Sequence, residues 1–138
     1  MKQFKSLKEH PFRTSVMKER ADCTVIATAI ACRIPYPEAH EMVRMMGRPN
    51  RQGFYTNIIA ESLPQFGYEA IELKRIKQKN GSLYTPKTIG KKLKSGYYIC
   101  QVNGHAFAVV NGVVEDWTDG RRHRIKRIWK IKKKHKVS

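Results

Sequence analysis

The sequence predicts an α+β domain in which N-terminal helices pack on a C-terminal antiparallel sheet. Three observations carry this reading. Apolar residues recur at helical spacing over 21–33; two Asn-Gly pairs, Asn103-Gly104 and Asn111-Gly112, separate β-rich runs near the end; and the helical patterns all precede those runs. With 138 residues and 41% hydrophobic content, the chain can bury one core and is too short for two. The expected organisation is a basic arm over 1–20, one domain over 21–131 and a basic tail over 132–138.

The first helix is expected over 21–33, with Asp22 capping its first turn and Val25, Ile26, Ala29 and Ile30 facing the core. Pro35 and Pro37 end it and open a second helix, in which Ala39, Met42, Val43 and Met46 are apolar and Gly47 marks the end. A loop over 47–53 leads to a third helix over 56–65, and 68–76 alternates as a strand. Thr85 before Pro86 starts a further helix, with Ile89 and Leu93 inward and Gly96 closing it. The runs 97–102, 105–110 and 113–118 then form a three-stranded meander, because Asn-Gly is the preferred pair for a two-residue hairpin turn. A last strand is expected over 124–131.

The formal charge of +17 is concentrated at the ends. Arg121, Arg122, Arg124, Lys126, Arg127, Lys130, Lys132, Lys133 and Lys134 lie in a stretch without an acid, which points to nucleic acid or a ribonucleoprotein as a partner. The flanking Arg44, Arg48 and Arg51, followed by Phe54 and Tyr55, form a second place where bases can stack. No run approaches the roughly 20 apolar residues of a membrane span, and the opening residues lack the apolar stretch of a signal peptide. Cys23, Cys32 and Cys100 are odd in number and have no zinc-type spacing, so free thiols, a cytoplasmic setting, no metal and no cofactor are expected.

Cys23 opens the first long helix, where unpaired amides and the positive dipole end favour a thiolate, the competent nucleophile. Cys32 and Cys100 fall inside a helix and a strand and read as small buried hydrophobes. If Asn111-Gly112 is a two-residue turn, Val110 pairs with Val113 and His105 lies opposite Thr118. Asp116 is then a diagonal neighbour of His105 on one face, placed to orient its imidazole.

These residues resemble a known family. Ala21-Asp22-Cys23-Thr24, the run Gly104-His105-Ala106-Phe107-Ala108-Val109-Val110, and Glu115-Asp116-Trp117 look like papain-like cysteine peptidases. The nearest resemblance is to the leader peptidases of bacteriocin exporters and to small phage-encoded proteins of the same pattern. It implies a papain-like fold, with Cys23 as nucleophile, His105 as base and Asp116 as orienting acid, acting on a peptide or isopeptide bond of a peptide or protein substrate. A phage protein would work in the host cytoplasm. The pattern departs from the family at Thr24, where a glycine is usual, and at Met17, where the family carries an oxyanion-stabilising glutamine. A missing oxyanion donor typically costs about a hundredfold to a thousandfold in rate. The alternative reading is therefore a catalytically weak or inactive papain-like fold that binds nucleic acid or a ribonucleoprotein through its basic ends.

Overall fold

The computed structural model describes residues 2–134. Four α-helices, α1 (Lys2–Lys8), α2 (Cys23–Cys32), α3 (Tyr36–Met45) and α4 (Thr56–Ser62), precede a five-stranded antiparallel sheet. The strands are β1 (Tyr68–Glu72), β2 (Tyr97–Val102), β3 (His105–Val110), β4 (Val113–Glu115) and β5 (Arg127–Lys133). Their spatial order is β1-β5-β2-β3-β4, so the last strand inserts between the first and second. Ile131 of β5 thereby pairs with Ala70 on one side and Tyr97 on the other. No helix among the described residues is long and apolar enough to cross a membrane.

Both faces of the sheet are covered, which explains why β3 is apolar after His105 rather than alternating with polar residues. On one face Ile99, Ala108, Val110, Trp129 and Ile131 pack with α2, α3 and α4 through Ile30, Tyr36, Val43 and Ile59. On the other, Cys100, Phe107, Val109 and Ile128 meet Ile89, Leu93 and Ile125, which come from connecting segments. The registers Val102↔His105 and Val110↔Val113 place Asn103-Gly104 and Asn111-Gly112 as two-residue turns, as expected. In the second turn both residues have positive φ, +47° at Asn111 and +83° at Gly112, the geometry that fits the right-handed twist of a hairpin.

The structure departs from the sequence-based expectations in several places. The basic arm is packed on the domain: α1 buries Phe4, whose amide donates to Glu115 Oε1 at 3.2 Å, and a turn of π-helix follows over Phe12–Val16. Only Phe4 and Leu7 face inward in α1, too few apolar positions for a periodic signal against its lysines. The helix expected from Thr85 shrinks to a short 3₁₀ turn, Ile89–Lys91. A Cβ on Gly90 would meet the Gly112 carbonyl oxygen at 2.6 Å, so this segment lies flat on the β3–β4 turn while Ile89 and Leu93 still reach the core. β1 ends at Glu72 rather than 76, and β4 stops at Glu115 rather than 118. β5 runs to Lys133, so the expected tail begins inside a strand; residues 135–138 of that tail lie outside the described residues.

Candidate active site

Cys23 is the first residue of α2, and no side chain caps that helix. Asp22, expected as the cap, is turned away instead. Its buried carboxylate accepts from Arg13 Nε at 2.7 Å and Nη2 at 2.9 Å, and from the Tyr36 hydroxyl at 2.7 Å. These are charge-assisted bonds to a rigid fork, stronger than the backbone cap they replace. The amide end of α2 is thereby left open beside the cysteine.

His105 opens β3 at the end of the hairpin, and Asp116 follows β4 at the point where the chain leaves the sheet. His105 Nε2 lies 2.7 Å from Asp116 Oδ2. The same oxygen accepts from Thr118 Oγ1 at 2.6 Å and from the Thr118 amide at 3.2 Å, so the carboxylate is held from two sides. This triple engagement is why β4 ends where it does. Because Asp116 occupies Nε2, Nδ1 is the ring nitrogen left for Cys23.

The titration behaviour follows from this arrangement. Burial pushes the Cys23 thiol up, but a hydrogen bond from His105, the Ala106 amide and the charge of the imidazole outweigh it, and the thiol ends below its ordinary value. Burial lowers His105, yet the bonds to Asp116 and Cys23 and their negative charges raise it to about 9. Both shifts move the pair toward thiolate and imidazolium, the reactive form. Cys32 and Cys100 behave oppositely: burial, only partly opposed by the charge of Arg33, pushes Cys32 up to about 12, and burial alone raises Cys100 further, as fits inert core thiols.

A cavity of about 350 Å³ opens over Cys23, His105 and Asp116. Ile26, Phe4 and the half-exposed Trp117 give it apolar surface, and the Trp117 ring lies 5.1 Å from that of His105. Lys8, Arg13 and Arg20 also line it, whereas Met17 does not. Sequence reasoning missed Arg13, Tyr36, Thr118 and the Ala106 amide, because a lone arginine or threonine outside any period carries no signal of its distant partner.

The basic residues separate into distinct environments. Arg121, Arg122, Arg124 and Lys126 are exposed on the segment between Asp116 and β5, and Lys132 and Lys133 are exposed at the end of that strand. Arg127 is instead paired with Glu72 at 2.7 Å and stacked on Trp129, and the Lys130 amino group lies over the Tyr98 ring. Lys134 donates to the Pro64 carbonyl at 3.0 Å. Arg48, considered above for base stacking, is buried; both its terminal nitrogens bond Glu19, at 3.0 and 2.8 Å, and His40 lies 2.6 Å from the same carboxylate. Among the described residues no cluster of His, Cys, Asp and Glu could hold a metal ion.

Compared with known proteins, the chain matches no family model, no curated protein and no solved structure at a significant level.

Proposed function

We propose that this protein is a papain-like cysteine hydrolase that cleaves a peptide or isopeptide bond. The observation that carries the reading is the convergence of Cys23, His105 and Asp116 at one cavity, with the thiol lowered and the imidazole raised. In this mechanism the Cys23 thiolate attacks the scissile carbonyl carbon, and the open amide end of α2 receives the oxyanion. As the tetrahedral intermediate collapses, His105 gives its proton to the leaving amine and a thioester remains on Cys23. Neutral His105 then takes a proton from water, which attacks the thioester; the carboxylic acid leaves and the thiolate is restored. Asp116 holds the ring in orientation throughout. Three free cysteines fit a reducing compartment, and a cytoplasmic setting is part of the proposal.

The test is labelling of Cys23 by iodoacetamide across pH, with release of new amine ends from a mixed peptide pool measured in parallel. Rapid labelling well below the ordinary thiol value of about 8.5, and amine release abolished by Cys23→Ala, are expected. A labelling curve that follows an ordinary thiol would end the hydrolase reading.

A second reading rests on one observation: Arg121, Arg122, Arg124 and Lys126 are exposed and make no ion pair among the described residues. An inactive papain-like fold that binds nucleic acid or a ribonucleoprotein through this segment would keep its biological effect in Cys23→Ala. It would lose that effect on charge reversal at Arg121, Arg122 and Arg124.

A further inference from the structure

Lys8, Arg13, Arg20 and His105 line the cavity over Cys23 together with Asp22 and Asp116. Arg13 is committed to Asp22 through two hydrogen bonds, and His105 is committed to Asp116. Lys8 and Arg20 remain. Both are exposed, and among the described residues neither side chain makes an ion pair or a hydrogen bond; Lys8 Nζ only overlies the Phe4 ring at 5.7 Å. They come from separate elements, the last turn of α1 and the segment leading into α2, and the fold uses neither charge.

Asp22 and Asp116 already have partners in Arg13 and His105, so the charges of Lys8 and Arg20 are left over at the cavity. Two cations at the cavity, unpaired among the described residues, favour an anionic group there over a neutral group of the same size. A basic side chain would instead be repelled by both.

We infer that the cavity selects acidic peptides, with a carboxylate side chain next to the scissile carbonyl held by Lys8 and Arg20. This rests on the hydrolase reading above and adds its substrate class. Trp117 and Ile26 supply apolar contact for the rest of the peptide.

The test compares two electrophiles of nearly equal size and opposite demand on the site, iodoacetate and iodoacetamide, on the full chain at low salt, with alkylation of Cys23 followed by mass. Each rate is divided by that of 2-mercaptoethanol. The normalised ratio of iodoacetate to iodoacetamide should exceed one. It should fall by roughly threefold for each of Lys8→Gln and Arg20→Gln, and fall again as salt screens the pair. A second arm uses matched N-acetyl dipeptidyl chloromethyl ketones that differ only as Glu against Gln, and the Glu reagent should inactivate faster.

Fast iodoacetamide labelling with a ratio unmoved in the double variant, or equal inactivation by the two ketones, would overturn the acidic-substrate inference while leaving the hydrolase reading intact. Slow labelling by both electrophiles would remove the hydrolase reading and the inference together.

Discussion

Arg13 holds both carboxylate oxygens of Asp22, the residue immediately before Cys23. This pairing keeps a negative charge from capping α2 beside the Cys23 sulfur. Arg13→Met should leave the buried carboxylate with only the Tyr36 hydroxyl, costing about 2 to 3 kcal/mol. The freed carboxylate is then drawn to the open amides of α2, and the midpoint of Cys23 labelling should move to higher pH. Arg13→Met combined with Asp22→Asn removes the charge and should restore the midpoint; an unmoved midpoint in Arg13→Met would show that Asp22 has no electrostatic part in the site.

The upper pH limit of turnover should be set by His105. Its proton serves the leaving amine, so hydrolysis rises as Cys23 ionises below the ordinary thiol range and falls as His105 loses its proton near about 9. Asp116→Asn weakens the bond that raises His105, and the descending limb should move to lower pH. A rate still rising well above that value would exclude His105 as the acid.

Glu19 is buried with Arg48 and His40, and it joins the segment before Cys23 to the segment after α3. Glu19→Ala leaves Arg48 buried without its partner and should cost about 3 to 5 kcal/mol, read from denaturant midpoints. The wild-type chain should also show a matching acid dependence. Burial raises the Glu19 carboxyl, but the bonds from Arg48 and His40 outweigh it and the folded value is lowered. That contribution is present above the unfolded glutamate value of about 4.3 and is lost as pH falls through the folded value. In Glu19→Gln this part of the acid destabilisation should disappear.

Thr24 Oγ1 is buried without a hydrogen-bond partner among the described residues. Thr24→Val keeps the shape and the branched Cβ while removing the unsatisfied hydroxyl, and should stabilise the fold by about 1 kcal/mol, or about 4 °C in Tm. A lower Tm would mean that the hydroxyl is bonded in solution.

The relation of His105 to Asp116 was legible because a two-residue turn makes register a matter of counting, and α2 was legible from apolar spacing. Met17 illustrates the limit. Its sequence offset from Cys23 matches the family's glutamine, yet the turn of π-helix before it carries the chain so that Arg20 lines the cavity instead. The helix expected at Thr85 fails for a related reason: Ile89 and Leu93 satisfy helical spacing, but the contact of Gly90 with Gly112, distant in sequence, determines the local shape. The insertion of β5 between β1 and β2 is a tertiary choice on which local patterning is silent.

That insertion governs when the protein becomes whole during synthesis. Cys23, His105 and Asp116 all leave the ribosome before residues 127–133, but β1 and β2 have no shared neighbour until β5 arrives to pair with both. A nascent chain therefore carries every reactive group while its sheet is split in two. Closure waits on a late strand, and a chain stalled before Arg127 presents unpaired edges instead of a finished domain.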